Sequence, residues 1–265
     1  MPTLTPEPHQ QRGMAESFGT DPALYDRVRP QYPAGLIDAV VAAAPGRDLL
    51  DVGCGTGITS RQFQAAGCRG LGLDVDERMA AHARSTGVEV EVSPFEVWDP
   101  AGRTFDALTA GMTWHWIEPE AGARKSAEVL RPGGRFAIFW YVLQPPPELA
   151  EAFAAVYREV LPDSPLNPQA AVAPGSAYAR FMDRTADCLL ATGAFEDVER
   201  PTFPWTRHYT RDKWLDQIRT AGTAQHLAST GKLDAILAGV GGAIDATGGE
   251  FTIDSEVVAL TAGRR

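Results

Sequence analysis

The sequence predicts an α/β fold in which a doubly wound, mostly parallel sheet carries helices on both faces. Short apolar runs alternate with segments of helical periodicity from residue 48 to residue 142, and this alternation is typical of repeated strand–helix–strand units. A glycine-rich turn at 53–57 joins the first apolar run to a helical segment. Because crossovers between parallel strands are right-handed, these units predict one open sheet that is covered on both sides.

The N-terminal half supplies the predicted elements in a regular order. A helical stretch at 22–44 is divided by Pro30 and Pro33, because proline cannot continue a helix interior. After the glycine turn, Phe63 and Ala66 follow helical spacing. Strands are predicted at 48–53, 69–76, 88–92, 105–111 and 135–142, and further helices at 58–67, 77–87 and 121–130.

The regular alternation stops at Pro145, Pro146 and Pro147, which form a stiff extended connector. Helical patterns follow at 148–160 and 177–193. They predict a helical insertion over the carboxyl edge of the sheet, where open α/β sheets bind their ligands. Strand character resumes at 195–210, followed by predicted helices at 211–222 and 232–248 and a final strand at 251–263.

Composition limits the class of protein. The 265 residues carry a net charge of −10 at pH 7, and an acidic surface argues against nucleic acid as a partner. No apolar run approaches the roughly 18 residues of a membrane span, and the N-terminal segment lacks an apolar signal core, so we expect a cytoplasmic protein with no membrane partner. Cys54, Cys68 and Cys188 show neither a C-x-x-C pair nor zinc spacing, so we expect neither a disulfide scaffold nor a metal site.

The glycine turn has the context of a nucleoside-binding loop, because it follows a strand and opens a helix. Its core reads Gly53-Cys54-Gly55-Thr56-Gly57. Asp74 ends the next predicted strand, and a carboxylate at that place can accept hydrogen bonds from both ribose hydroxyls of an adenosine ligand.

The spacing of the glycines separates two kinds of adenosine ligand. Dinucleotide sites carry G-x-G-x-x-G and bind a pyrophosphate, whereas this loop reads G-x-G-x-G after Asp51. A carboxylate on the strand tip repels a pyrophosphate and suits an ammonium group. Asp51 with the loop closely resembles the first motif of the class I S-adenosylmethionine-dependent methyltransferases.

The resemblance covers most of the chain. The segment 72–79 is similar to the second motif of the family, 129–138 to the approach to the fifth strand, and 25–33 to the N-terminal lid of a subgroup with many small-molecule enzymes. It implies a seven-stranded Rossmann-like sheet whose last pair is an antiparallel hairpin, and S-adenosylmethionine as cofactor. The residues that it assigns to cofactor binding are Tyr25, Arg29, Asp51, Gly53, Cys54, Gly55, Gly57, Asp74, Val75, Met79, Phe95, Glu96 and Ala110.

Individual roles follow from the same resemblance. It implies that Tyr25 and Arg29 approach the methionine end of the cofactor, that Asp74 binds the ribose and that Met79 packs near the adenine. One segment departs from the family, since residues 93–96 read Ser-Pro-Phe-Glu where an Asp-Ala pair is usual. Adenine recognition is then expected from the backbone amide of Phe95 with the Glu96 side chain, or from Trp98.

The acceptor site is expected where the fourth strand ends, in the segment 112–117. Trp114 and Trp116 form a candidate wall for the acceptor. Between them, His115 is the candidate catalytic base, since an imidazole titrates near neutral pH and a phenol or alcohol must lose a proton. The alternative is a structural histidine that faces the helical insertion.

These observations predict a methyltransferase that acts on a small organic molecule, with O-methylation of a carboxylate or hydroxyl favoured. Two alternatives stay open: a cofactor-binding protein of this fold that transfers no methyl group, and an NAD(P)-dependent oxidoreductase. The predicted organisation is a mobile tail (1–15), a lid with the cofactor-binding core (16–143), an insertion that caps the substrate (144–194), and strands and helices that complete the core sheet (195–265).

Overall fold

The computed structural model describes residue 9, residues 16–162 and residues 174–265 of the chain. Apart from residue 9, the predicted mobile tail at 1–15 lies outside this part. The strands are β1 (Asp48–Val52), β2 (Arg69–Asp74), β3 (Glu89–Val92), β4 (Phe105–Gly111), β5 (Leu130–Tyr141), β6 (Phe195–Glu199), β7 (Thr202–Thr210) and β8 (Glu250–Arg264).

Helices connect these strands, and each predicted helix is present. They are α1 (Pro22–Val28), α2 (Ala34–Ala43), α3 (Ile58–Ala65), α4 (Glu77–Ser85), α5 (Pro119–Val129), α6 (Pro147–Val160), α7 (Pro174–Ala191), α8 (Arg211–Arg219), α9 (Ala224–Ser229) and α10 (Leu233–Asp245). The short helix α9 was missed, because six residues carry too little periodicity to be distinguished from a loop. In the described part of the chain, no helix is long and apolar enough to span a membrane.

The sheet confirms the predicted fold class. Its strand order is β3-β2-β1-β4-β5-β8-β6, with β7 also paired to β8. β1 to β5 run parallel, whereas β8 is antiparallel to β5, β6 and β7. The order reverses between β1 and β4, and ligands of open α/β sheets bind outside the carboxyl ends of the strands at such a point.

The observed sheet differs in one detail from the predicted sheet of seven strands, at the edge beside β8. The run predicted as one strand at 195–210 is divided, so that β6 pairs with the end of β8 and β7 with its beginning. Arg200 and Pro201 separate the two strands. Proline has no backbone N–H to donate to the ladder, although the Pro201 carbonyl still accepts from the Ala259 amide of β8 at 3.0 Å.

Two hydrophobic cores lie on opposite faces of the sheet. Alternate strand residues point to opposite faces, so Leu50 and Leu108 belong to one core and Leu49 and Ala107 to the other. All four side chains are buried. The strands therefore form a rigid layer that fixes the positions of the loops at its carboxyl edge.

The two helices of the predicted insertion do not form a single layer over that edge. Leu149 and Phe153 of α6 pack into one core, whereas Met182 and Leu189 of α7 pack into the other. Each helix buries an apolar stripe against a different face of the sheet. Of its described residues, only Tyr178 lines the cavity at the carboxyl edge.

Candidate active site

A cavity of about 540 Å³ opens at the carboxyl ends of β1, β2 and β4. This volume is typical of a small-molecule site. The glycine loop and Asp74 line one part of it, and the aromatic side chains of Tyr25, Trp116 and Tyr178 line another. The cavity therefore joins a loop suited to a nucleoside to an aromatic-walled region.

The glycine loop is held against the end of β2. The amides of Gly53 and Cys54 both donate to the carbonyl of Leu73, at 2.6 and 3.1 Å. Gly53 and Gly55 have φ values of 65° and 56°, which glycine adopts without the strain of a side chain. At Gly53 a Cβ would also overlap the Thr113 side chain, so this position has no room for any other residue.

Asp74 organises the loop from the neighbouring strand. Its Oδ2 accepts from the Gly55 amide at 2.7 Å, and its Oδ1 accepts from the Asp76 amide at 2.9 Å. Burial raises the pKa of the Asp74 carboxyl above its usual value, and these amides oppose the shift. The side chain lines the cavity, and each carboxylate oxygen keeps a second lone pair for a ligand hydroxyl.

Asp51 lies behind the loop instead of in the cavity wall. Its side chain is buried, and its oxygens accept from the Ser60 hydroxyl at 2.6 Å and the Thr109 hydroxyl at 3.0 Å. Burial raises the pKa of Asp51 to about 6. The expectation that this carboxylate meets an ammonium group directly is not supported by its position, because both oxygens are engaged by hydroxyls that tie α3 and β4 to β1.

The raised pKa of Asp51 predicts a pH dependence of stability. Below about pH 4 the carboxyl is protonated in both the folded and unfolded states, and between about pH 4 and pH 6 only the unfolded state loses the proton. The contribution of Asp51 to the free energy of unfolding therefore falls as the pH rises through this window. In Asp51→Asn, Ser60 and Thr109 can reorient their hydroxyls toward the amide, so the variant avoids this fall.

Urea unfolding of wild type and Asp51→Asn at about pH 4 and about pH 7.5 measures the effect. We expect the free energy of unfolding of the variant to rise relative to wild type at the higher pH. Asp38→Asn, on an exposed position of α2, is the matched control. A difference between Asp51→Asn and wild type that stays constant with pH would contradict the prediction.

The N-terminal segment covers the cavity through Tyr25 and Arg29. The Arg29 guanidinium lies 4.6 Å from the centre of the Tyr25 ring and donates from Nη2 to the carbonyl of Thr220 at 2.6 Å. Arg29 thereby joins the end of α1 to the loop between α8 and α9, whose Ala221 and Gly222 also line the cavity. Its Nε is buried with no hydrogen-bond partner among the described residues.

The two tryptophans of the segment 112–117 lie in different environments. Trp116 lines the cavity, whereas Trp114 is buried beneath it, with its ring centre 4.9 Å from that of Phe136. The assignment of Trp114 to the acceptor wall is corrected here, because it packs into the core in a 3₁₀ turn at Trp114–Trp116. His115 lines the cavity, and its Nδ1 accepts from the indole N–H of Trp140 at 3.1 Å.

The part of the cavity nearest β3 is formed by Met79, Phe95 and Glu96. Glu96 Oε1 accepts from the amide of Glu118 at 3.0 Å, which ties this wall to the start of α5. Trp98, the alternative for adenine recognition, is buried away from the cavity and donates to Glu91 at 2.6 Å. Of the two alternatives, the geometry therefore leaves Phe95 with Glu96.

Comparison with known proteins agrees with this geometry. A family model described as a methyltransferase domain matches residues 50–138. An uncharacterized methyltransferase of Mycobacterium tuberculosis is 32% identical over 212 residues, which cover 78% of this chain and 77% of that protein. The chain belongs to the class I S-adenosylmethionine-dependent methyltransferases. The resemblance seen in the sequence is thus confirmed.

Other relatives place this methyltransferase more broadly. A malonyl-[acyl-carrier protein] O-methyltransferase of Herminiimonas arsenicoxydans is 27% identical over 221 residues, covering 79% of this chain and 76% of that protein. The solved structure of a putative type II methyltransferase from Anaeromyxobacter dehalogenans aligns with a TM-score of 0.61 and 25% identity, over 89% of this chain and 97% of that one. The similarity to this structure extends well beyond residues 50–138, which the family model matches.

Three other residues of this methyltransferase that were assigned to cofactor binding differ in their position relative to the cavity: Cys54, Gly57 and Ala110. Gly57 and Ala110 lie outside the cavity lining, and the Gly57 amide closes the loop by donating to the Cys54 carbonyl at 2.9 Å. Cys54 lines the cavity but packs against Gly72, and burial raises the pKa of its thiol. A protonated thiol is a poor nucleophile, which is consistent with a structural cysteine.

Some residues that line the cavity of the methyltransferase were not identified from the sequence. Thr113 lies two residues after β4, within the segment 112–117 where the acceptor site was expected, and that position was an available signal. Ala221 and Gly222 lie far along the chain in a loop without a motif, so only the tertiary structure brings them to the site. The other missed residues include His9, Phe18, Thr56, Thr59, Glu118 and Tyr141. No group of three or more His, Cys, Asp or Glu side chains within the described ranges could hold a metal ion.

Proposed function

We propose that this methyltransferase uses S-adenosylmethionine to methylate an oxygen, in a carboxylate or a hydroxyl, of a small organic molecule. One observation carries the proposal: the loop with Asp74 and the aromatic residues Trp116 and Tyr178 line the same cavity. A nucleoside cofactor at the loop and an acceptor beside the aromatic rings would therefore share one cavity.

The residues present fit the cofactor. Within the described part of the chain, a Cβ on Gly55 would meet only the end of Met79, at 3.5 Å, so the loop leaves open space on its cavity side. The Thr56 hydroxyl is buried without a hydrogen-bond partner among the described residues, which is consistent with a ligand that supplies one. Asp74 would bind the ribose, and Tyr25 and Arg29 would enclose the amino-acid end.

Bound S-adenosylmethionine supplies an electrophilic methyl group on a sulfonium, so the protein mainly contributes position and exclusion of water. Tyr25 and Arg29 line the cavity, and Trp116 and Tyr178 give it apolar walls. Such walls favour a small organic acceptor. The related O-methyltransferase of Herminiimonas arsenicoxydans, named for a malonyl-carrier substrate, supports oxygen as the accepting atom.

Binding of S-adenosylhomocysteine tests the cofactor. Because a ligand of the folded state stabilises it by RT ln(1 + [L]/Kd), we expect the free energy of unfolding to rise by about 2.7 kcal/mol at one hundred times Kd, with a higher melting temperature. Thermal unfolding and calorimetric titration measure both quantities, and NADH is the control ligand. An unchanged melting temperature at millimolar S-adenosylhomocysteine would refute the cofactor.

Methyl transfer itself is tested with cofactor labelled in the methyl group and a pool of small metabolites. Label recovered in a small organic product supports the proposed activity. Binding of the cofactor with no transfer to any acceptor would instead favour a binding protein that retains the methyltransferase fold.

A further inference from the structure

The hydrogen bond between Trp140 and His115 determines which nitrogen of the imidazole carries the proton. An indole N–H can only donate, and Trp140 donates from Nε1 to Nδ1 of His115 at 3.1 Å. Nδ1 is therefore the unprotonated nitrogen of the ring. Since a neutral imidazole carries one N–H, the proton lies on Nε2.

The surroundings hold this arrangement in place. Trp140 is fully buried and stacks on Tyr178, with ring centres 5.5 Å apart and an interplanar angle of 20°. The rings of Trp116 and Phe181 lie 4.8 and 5.9 Å from the imidazole. These contacts restrict rotation of the His115 ring, so the acceptor nitrogen stays directed at the indole.

His115 is also held in its neutral form. Burial lowers its pKa to about 4. A second proton on Nδ1 would set its N–H against the N–H of Trp140, which opposes protonation independently of burial. At neutral pH the ring therefore has no basic nitrogen that is free, because Nδ1 is engaged and Nε2 already carries its hydrogen.

The Nε2–H group is the part of His115 that remains available. Among the described residues it makes no hydrogen bond, and Nε2 is not one of the fully buried polar atoms that lack a partner. The residue lines the cavity beside Trp116. The cavity thus presents a neutral hydrogen-bond donor at the place where the sequence predicted a base.

Each carboxylate that lines the cavity accepts a hydrogen bond from at least one backbone amide. Glu96 accepts from the Glu118 amide, and Glu118 accepts from the amides of Glu120 and Ala121 at 3.2 and 2.6 Å. Asp74 accepts from the two amides described above. Burial raises the pKa values of Tyr32, Tyr141 and Tyr178, so these phenols stay protonated. His9 is a second imidazole in the cavity wall.

We propose that His115 donates a hydrogen bond from Nε2 to an oxygen of the acceptor that is already anionic, and that the substrate class is a carboxylate. This inference rests on the proposed function and narrows it, since a hydroxyl acceptor would need a base. Methylation of a carboxylate yields an ester and releases no proton, whereas methylation of a hydroxyl releases one proton per methyl group transferred. Trp140 is then a positioning residue that acts through His115.

The protonated nitrogen can be observed directly, without any substrate. In protein labelled with ¹⁵N-histidine, long-range proton–nitrogen correlation spectra distinguish Nε2–H from Nδ1–H, and His115→Gln identifies the His115 signals by their loss. We expect Nε2–H at neutral pH in wild type and a larger share of Nδ1–H in Trp140→Phe. Nδ1–H or a doubly protonated ring in wild type would overturn the inference.

A pair of substitutions separates a donor from a base. In His115→Gln the side-chain oxygen can accept from Trp140 while its NH₂ donates into the cavity, whereas His115→Ala can do neither. For a donor, we expect His115→Ala to raise the KM of the acceptor by about ten- to a hundredfold and His115→Gln to restore most of this loss. For a base, both variants would lower kcat about a hundredfold or more. His226→Gln, exposed on α9, is the matched control.

The products identify the substrate class. After transfer from methyl-labelled cofactor to a small-molecule extract, label that mild alkali releases as methanol marks methyl esters and supports the inference. Label that resists alkali overturns it, and an alkali-stable product that is a methyl ether leaves the proposed function intact. Failure of S-adenosylhomocysteine to bind in calorimetry would instead overturn the proposed function, so the two failures are distinguishable.

Discussion

Replacement of Gly55 by valine should abolish S-adenosylhomocysteine binding in a protein that still folds. Among the described residues, the only side chain near a Cβ at this position is the end of Met79, at 3.5 Å, so this part of the protein has room for one. A branched side chain would instead occupy the cavity at the amide that donates to Asp74. We expect the affinity to fall at least about a hundredfold, because a β-branched residue also resists the φ of 56°.

Gly133→Val is the matched control for this substitution. Gly133 has a φ of 77°, and a Cβ there would meet no atom of the described residues within 4 Å. It carries a similar backbone penalty of about 1–2 kcal/mol, but it lies in β5 outside the cavity. We expect lower stability with unchanged affinity, measured by urea unfolding and calorimetry. If Gly55→Val keeps its affinity within about threefold while its circular dichroism is unchanged, the loop is only a turn.

Replacement of Asp74 by alanine should weaken the binding of S-adenosylhomocysteine by about ten- to over a hundredfold. Hydrogen bonds to a charged group contribute about 1.5 to 3 kcal/mol, and each 1.4 kcal/mol is about tenfold in affinity. The substitution also leaves the Gly55 and Asp76 amides without the acceptor that holds them. Because a ribose contact acts equally on ground and transition states, saturating cofactor should largely restore turnover.

Asp74→Asn refines this prediction. If Asp74 made no backbone contacts, the affinity of the asparagine variant would lie between those of wild type and Asp74→Ala, since the side chain keeps its shape and loses its charge. Here both carboxylate oxygens accept from backbone N–H groups. An amide side chain would set its own NH₂ against one of them, so we expect its loss to approach that of Asp74→Ala.

A 2′-deoxy analogue of S-adenosylhomocysteine provides the complementary measurement. It should bind wild type more weakly than the parent compound, yet lose much less against Asp74→Ala, because the partner of the hydroxyl is already absent. Calorimetric titration of the four combinations gives the coupling. Losses that add fully would place the ribose away from Asp74.

Much of the fold is predictable because it depends on local patterns. The strand and helix order through β5 follows from apolar periodicity between neighbours in the chain, and the breaks at Pro30 and Pro33 follow from the chemistry of proline itself. The glycine loop was found because its positive φ angles restrict the residue type. Asp74 was found because it ends the strand that pairs with β1.

The division of the edge beside β8 was not predicted, although Pro201 is visible in the sequence. Whether a proline within an apolar run divides a strand depends on which neighbour needs its N–H, and β8 supplies that neighbour from 49 to 63 residues further along the chain, at 250–264. The helices at 147–160 and 174–191 gave a similar ambiguity. An amphipathic pattern reveals that a helix has a buried side but not which face of the sheet it covers.

By itself, the sequence determined the fold class, the family and the loop that grips the proposed nucleoside, because each depends on residue types at close spacing. Only the tertiary structure decided which side chains reach the cavity. Trp114 and Trp116 are two residues apart, yet one is core and the other is wall. The proton of His115 is directed by Trp140 on a neighbouring strand, and such a contact, formed by packing between distant segments, leaves no local pattern in the sequence.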